Sequence, residues 1–275
     1  MKDTLVFSDI DGTILNTTHQ LTIELIDWMK NEKPNQVHFV LASARPPIAM
    51  FEIHQQLGLD TPIASFNSAL IINPNTNEII HSQGFSVKKA QEIYQAAQDF
   101  SAEISVNVFS GTRWLVDKID YWVQQEMDIT NVKASVMNIT DFLQSVDEVH
   151  KILCMANKEI LDNFTIYLAN LGFTGLSLTR SKPTYLEIVN EQVSKHKGLF
   201  ILQDYYDIDH NQTYAIGDHF NDLAMIQAAN IGIAMGNAPQ DVKNNAQYIT
   251  KSNDENGAYE ALKHFFSIGD EYETY

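Results

Sequence analysis

The run Leu5-Val6-Phe7-Ser8-Asp9-Ile10-Asp11-Gly12-Thr13 decides the fold. A short apolar run with no alternation is the pattern of a strand buried on both faces of a parallel sheet. It stops at two carboxylates one residue apart, and a turn residue follows. Ligands of open α/β sheets bind outside the carboxyl ends of the strands, so Asp9 and Asp11 are expected together at the mouth of the sheet. Two close carboxylates repel each other unless a proton or a cation intervenes. For an oxygen-only site the matching cation is Mg²⁺.

Outward from this run, strand and helix alternate. Strand 5–8, helix 22–31, strand 37–42, helix 47–57 with Gly58 just past its end, and strand 63–65 are followed by a hairpin pairing 69–72 with 78–81 across Asn73-Pro74-Asn75. Alternation of this kind predicts parallel βαβ units. Near 82–86 the rhythm changes. Helix 87–100 precedes strands 104–109 and 113–117, joined by Ser110-Gly111-Thr112. Helix 119–127, a strand near 132–137, helix 141–145, strand 149–155 and helix 158–171 with its stop at Gly172 come next. Strands 176–180 and 184–189 close the segment around Lys182-Pro183, and the whole reads as an antiparallel α+β module. From Ser194 the first rhythm returns, with helices 196–205, 222–229, 239–245 and 257–266 and strands 213–216, 231–234 and 248–250. Residues 271–275 are expected to fray. The organisation is therefore a discontinuous α/β core, 1–82 and 190–275, with an inserted α+β domain, 83–189, entered through linkers near 82–86 and 189–194.

A chain of 275 residues suits two domains, and 44% hydrophobic with 19% charged residues is the composition of a soluble globular protein. No apolar stretch approaches the length of a membrane span, and Asp3 followed by a strand leaves no signal-peptide pattern. The single cysteine, Cys154, has no intrachain partner and lies in the apolar run 149–155, where it reads as a core thiol. Together these features point to the cytoplasm. The net charge of −17 argues against nucleic acid and anionic membranes as partners. A small-molecule ligand and a monomer or small homo-oligomer are the expectations. A phosphate ligand would then need positive charge supplied locally.

A second run, Ala215-Ile216-Gly217-Asp218-His219-Phe220-Asn221-Asp222, repeats the logic of the first. Asp218 falls at a strand end and Asp222 one helical turn later. In a parallel sheet this strand end and that of Asp9 open on the same edge, so their acids converge. A third signal is Leu41-Ala42-Ser43-Ala44-Arg45, a hydroxyl ahead of a helix whose free N–H groups suit an anion. The fourth, Ser194-Lys195-His196-Lys197-Gly198, brings the missing positive charge to a helix start.

Each signal has a plainer reading by itself. Asp-x-Asp-Gly-Thr occurs in surface turns and calcium loops. An EF-hand starting at Asp9 would need Gly and Glu where Ile14 and Gln20 stand, which removes that reading. Gly217 to Asp222 could be acids dressing a helix N-terminus, Ser43 a cap, and Lys195 a solvated lysine. Their order along the chain, each at a strand end or helix start, favours one shared site. Arg45 reads as a brace for carboxylates or for the loop, with substrate contact as the alternative. Arg113, Arg180, Lys182 and Tyr185 read as surface, with substrate contact as the alternative. Tyr121-Trp122 and Tyr205-Tyr206 read as helix-face packing.

The four runs, in this order, resemble the motifs of the haloacid dehalogenase-like (HAD) phosphatases. The stretches Ser65-Phe66-Asn67-Ser68-Ala69 and Ile233-Ala234-Met235-Gly236-Asn237-Ala238 are similar to the Cof-type branch, as is a large insert between the second and third motifs. The resemblance implies an α/β fold, a Rossmann-like core with a parallel sheet plus an inserted α+β cap domain. It implies a Mg²⁺-dependent phosphatase that hydrolyses small phosphorylated metabolites, such as a sugar phosphate, through an aspartyl-phosphate. Asp9 would be the nucleophile. Asp11 would protonate the leaving alcohol and then activate water. Asp9, Asp11 (through its backbone carbonyl), Asp218 and Asp222 would hold the metal, and Ser43, Lys195 and Asn221 the phosphoryl oxygens. Two departures are Ser43-Ala44-Arg45 where the family often shows Thr-Gly-Arg, and Asn67-Ser68 where it often shows Asn-Gly. Lys197 rivals Lys195 as the motif lysine, and the order Val-Ser-Lys before a helix favours Lys195. A phosphomutase or phosphotransferase of the same fold is one alternative, and a phospho-receiver or metal-binding regulatory module is another.

Overall fold

The computed structural model describes residues 2–267, so the expectation for 271–275 lies outside the described residues. From the N-terminus, β1 (Thr4–Ser8) leads through α1 (Ile23–Asp27) to β2 (Val37–Ala42), α2 (Phe51–Gln56), β3 (Ile63–Ser65), β4 (Leu70–Ile72) and β5 (Ile79–Ser82). Then come β6 (Phe85–Ser86), α3 (Val87–Phe100), β7 (Ser105–Ser110), β8 (Arg113–Val116), α4 (Tyr121–Thr130), β9 (Ser135–Val136), α5 (Ile139–Leu143), β10 (Glu148–Val149) and β11 (Lys151–Met155). The chain continues through α6 (Lys158–Asn170), β12 (Leu176–Lys182), β13 (Tyr185–Asn190), α7 (Lys195–Tyr205) and β14 (Thr213–Gly217). It closes with α8 (Leu223–Ala228), β15 (Ile231–Ala234), α9 (Gln240–Lys243), β16 (Tyr248–Ile249) and α10 (Gly257–Phe266). The described residues divide into two compact units, one of 2–44, 50–80 and 194–267, the other of 45–49 and 81–193.

The first unit is built on a sheet of order β16-β15-β14-β1-β2-β3-β4-β5. The pairs from β16 through β3 are parallel, and β4 runs antiparallel to β3. Strand β1 is central, and Leu5, Val6 and Phe7 are fully buried. Burial of such side chains stabilises by about 1.5–3 kcal/mol each. Its register, Phe7 opposite Val40 on β2 and Ala215 on β14, brings the carboxyl ends of all three strands to one edge. The parallel α/β core is therefore as the sequence pattern predicts, and Rossmann-like as the resemblance implies.

Three features of this unit escaped the periodicity. The helix expected over 22–31 begins on the Thr22 cap but passes into a π-helical turn, Trp28–Glu32, which buries Trp28 and Met29. The chain after β3 holds three successive residues in left-handed conformation, Phe66 (φ 51°), Asn67 (φ 56°) and Ser68 (φ 74°). Such conformations cost of order 1–3 kcal/mol each for non-glycine residues. The third is the capping box Ser252/Glu255 that opens the approach to α10.

The second unit carries a sheet of order β12-β13-β11-β7-β8-β9 and a two-stranded pair β10-β6. One sheet face is packed by helices: Ile152 and Cys154 on β11 join Ile93 and Ala97 on α3, Phe142 on α5 and Phe164 on α6 in one core. Helix α3 owes that place to its spacing, with Ala90, Ile93 and Ala97 one turn apart and Ser86 capping its start. Burial pushes the Cys154 thiol up to about 12, as suits a packing residue. The expected α+β character holds with two changes. The edge pair β8–β9 is parallel. The strand expected over 149–155 breaks at His150, because Val149 pairs with Phe85 of β6 while Lys151 pairs with Val189 of β13. Tyr121 is 71% exposed and does not pack a helix face, a correction that follows from its place in the first turn of α4.

Candidate active site

The site forms at the carboxyl edge of β1 and β14. Asp9 leaves β1 with its N–H donating to the Ile216 carbonyl oxygen on β14 (2.9 Å). Three residues on, Gly12 turns with φ 78°, and a Cβ there would run into the Asp218 carboxylate. That close approach explains glycine at this position. Asp222 closes the loop after β14: its Oδ2 accepts from the backbone N–H of Asp218 and of His219, both at 3.0 Å. Lys195, the first residue of α7, donates from Nζ to Asp9 Oδ1 (2.5 Å) and to Asp222 Oδ1 (2.7 Å). Asp9, Asp222 and Lys195 are buried, at 6%, 0% and 2% exposure. Asp218 completes the group, with Oδ1 accepting from Thr13 Oγ1 (3.0 Å) and Oδ2 from Asn237 Nδ2 (3.4 Å).

Ligand atoms of Asp9, Asp218 and Asp222 lie within 4.8 Å of one another. Burial, with the nearby Asp222 carboxylate, pushes the Asp9 carboxyl well above its usual range despite Lys195. Burial and Asp222 likewise raise Asp218, against the Thr13 hydroxyl. Burial alone would lower the Lys195 ammonium, but the two carboxylates outweigh it and hold it charged. Three acids thus share one lysine, an excess of negative charge that calls for a further cation. The donor set is all oxygen and largely anionic, which fits a hard divalent ion.

Of the other residues singled out in the sequence, Asp11 has a half-exposed carboxylate outside that cluster, 3.8 Å from His19 Nδ1. Ser43 is buried at the end of β2, its N–H bonded to Ala64 and its carbonyl to the Asn67 N–H. Asn221 is exposed beside Asp222, and Lys197 is exposed while its neighbour Lys195 reaches the acids. Arg45 donates to the Ala49 carbonyl oxygen, within its own loop. In the second unit Arg180 pairs with Asp162, Arg113 lies over the Phe142 ring, Lys182 lies over the Tyr185 ring, and the Tyr185 hydroxyl donates to Glu126. Tyr185 is buried, not surface.

Sequence pattern assigned Thr13 no role beyond its motif and did not single out Asn253. Asn253 donates from Nδ2 to the Leu15 carbonyl oxygen (2.9 Å) and from its N–H to Asn237 Oδ1 (3.0 Å). The sequence signal that could have located it is the Ser252-to-Glu255 capping pattern.

The sequence profile of haloacid dehalogenase-like hydrolases matches residues 6–262. A Haemophilus influenzae relative is 30% identical over 258 residues, covering 92% of this chain and 94% of its own. The Bacillus subtilis 5-amino-6-(5-phospho-D-ribitylamino)uracil phosphatase YitU is 27% identical, covering 97% and 99%. Among solved structures, a haloacid dehalogenase-like hydrolase from Bacteroides thetaiotaomicron superposes with a TM-score of 0.86 at 28% identity, covering 96% of this chain and all of that one.

Proposed function

The chain belongs to the haloacid dehalogenase-like hydrolases, and from that premise we propose a Mg²⁺-dependent phosphatase of small phosphorylated metabolites working through an aspartyl-phosphate. It is a phosphoric monoester hydrolase, in line with its phosphatase relatives. The observation that carries the finer reading is the group of buried Asp9, Asp222 and Lys195 with half-buried Asp218, three carboxylates around one ammonium.

In this reading Asp9 attacks phosphorus and the ester oxygen leaves. A carboxylate nucleophile divides one hard displacement into two easier ones. Asp11, accessible at the mouth, gives its proton to the departing alkoxide and then takes one from the water that hydrolyses the acyl phosphate. Lys195 and Asn221, with Ser43, hold the phosphoryl oxygens. Lys195 also orders the site, because its ion pairs fix Asp9 and Asp222 in place. Asp9 and Asp218, the Asp11 carbonyl and the supporting Asp222 would hold Mg²⁺. When bound, the ion offsets the charge that phosphoryl transfer concentrates. Residues 1–82 and 190–275 act as the catalytic core and 83–189 as a cap that selects the leaving group. The substrate class is a small phosphorylated metabolite, such as a sugar phosphate; the YitU relative is named for 5-amino-6-(5-phospho-D-ribitylamino)uracil.

The test is phosphate release from a panel of sugar, polyol and cofactor phosphates, including 5-amino-6-(5-phospho-D-ribitylamino)uracil, with Mg²⁺ and with chelator. Many turnovers with Mg²⁺ and none with chelator are expected. Isotope from labelled water should appear in the phosphate; isomerised ester without it would indicate a mutase instead. Failure of every ester at stoichiometric phosphorylation of Asp9 would indicate a receiver.

A further inference from the structure

We infer that Asn237 is a positioning residue for the metal-binding carboxylate of Asp218, an inference that rests on the Mg²⁺ reading above. Asn237 stands on the loop after β15, one strand beyond the loop that carries Asp218 and Asp222. Its Nδ2 donates to the Gly12 carbonyl oxygen (2.9 Å) and to Asp218 Oδ2 (3.4 Å). Its Oδ1 accepts the N–H of Asn253 (3.0 Å). The amide has one consistent orientation, because the reversed one would set its oxygen against a carbonyl and a carboxylate. The backbone of Asn253 therefore keys the amide, and the amide faces the nucleophile loop and Asp218 together.

The consequence for Asp218 is specific. Both of its oxygens are engaged from outside the acidic group, Oδ1 by Thr13 and Oδ2 by Asn237. Without Asn237 the carboxylate loses its outside partner on Oδ2 and keeps only Thr13 from outside the acidic group, while Asp222 repels it. Partners of this kind orient a ligating carboxylate, and their loss typically weakens metal affinity by about 10–100-fold. Asn253 serves as an internal contrast. Its side chain ties down the Leu15 carbonyl oxygen and leaves Asp218 untouched, while its contact with Asn237 is made by backbone. The two asparagines belong to one brace on the motif loop, yet only one of them faces a proposed ligand.

The experiment measures Mg²⁺ binding to the full chain by calorimetry, and thermal unfolding without metal, for Asn237→Ala, Asn253→Ala and Asp218→Asn. Asn237→Ala should raise the Mg²⁺ dissociation constant about tenfold or more. Asn253→Ala should lower the unfolding temperature and leave that constant unchanged. Asn237→Gln, which moves the amide by one methylene, repeats the measurement should Asn237→Ala not fold. Parental Mg²⁺ affinity in a folded Asn237 variant overturns the inference. Equal weakening by Asn253→Ala also overturns it, since the effect would then be general loosening of the loop. Parental affinity in Asp218→Asn would instead remove the underlying metal reading.

Discussion

Each unit of this protein buries a lysine against carboxylate, and the two sites differ in how their charges balance. In the second unit Lys151 on β11 meets Glu187 on β13 at 2.8 Å, one cation to one anion. Burial pulls Glu187 upward, but the charge and hydrogen bond of Lys151, helped by Ser181 and Lys182, hold it below its ordinary value. In the first unit Lys195 faces two carboxylates with a third alongside, and Asp9 is driven above its ordinary value. The Lys151 pair is complete by itself. The Lys195 group is left anionic by the protein, which is the condition of a site made to receive positive charge or a reacting phosphoryl group. Burial of a lysine does not separate architecture from chemistry; the surplus of acid does.

The contrast breaks most sharply at Asp9. Asp9→Asn should fold and should reduce phosphate release by at least about 10⁴-fold, the scale on which removal of a nucleophile acts. Its unfolding temperature without metal should equal or exceed the parent's, because one surplus acid is gone. Retained turnover would remove the nucleophile assignment. Lys195→Ala should cost about 10²–10³-fold in kcat, the scale for a lost oxyanion donor, while Lys197→Ala leaves kinetics at the parental level.

The balanced pair should answer differently. Glu187→Gln strands a buried ammonium and should cost about 3 kcal/mol of stability at neutral pH. Replacing both partners, Lys151→Met with Glu187→Leu, should restore stability to about the parental value. The pH dependence follows from the direction of the shift. A carboxyl held low in the folded state contributes its stability above the unfolded value and loses it as pH falls through the folded value. Urea unfolding of the parent should therefore show an acid limb below about pH 4.5 that Glu187→Gln flattens. A limb of the same depth in both proteins would show that the pair is not its origin. The smallest effect belongs to Cys154→Ala, whose phosphate release should match the parent's in the same assay.

Legibility in the sequence tracked how local each cause is. Strand β1 and the run Asp9 to Thr13 announce themselves because the apolar run and its stop lie in one stretch. Helix α3 was readable end to end from its Ala90, Ile93 and Ala97 spacing. The break of the strand at His150 was not, since it depends on two partners, Phe85 and Val189, distant in the chain. The left-handed run at Phe66, Asn67 and Ser68 carries no glycine, so the usual marker of positive φ was missing. The acids could be placed at one edge from strand order alone. The order Val193-Ser194-Lys195 before a helix favoured Lys195 over Lys197, and Lys195 is the one that reaches the acids, as the first residue of α7. For Asn253 the capping pattern around it marks a helix start, but its partners Leu15 and Asn237 come to it only through the folded loops.

The placement of β14 beside β1 also constrains the order of assembly during synthesis. At 5–20 residues per second, roughly 10–40 s separate the emergence of β1 from that of its parallel neighbour. Through that interval the central strand has an open flank, while 81–193, nearly continuous in the chain, can already collapse on the ribosome. The stretch 81–193 is thus complete before the sheet around β1 can close, so a truncated translation product ending before β14 would leave that flank of β1 unpaired.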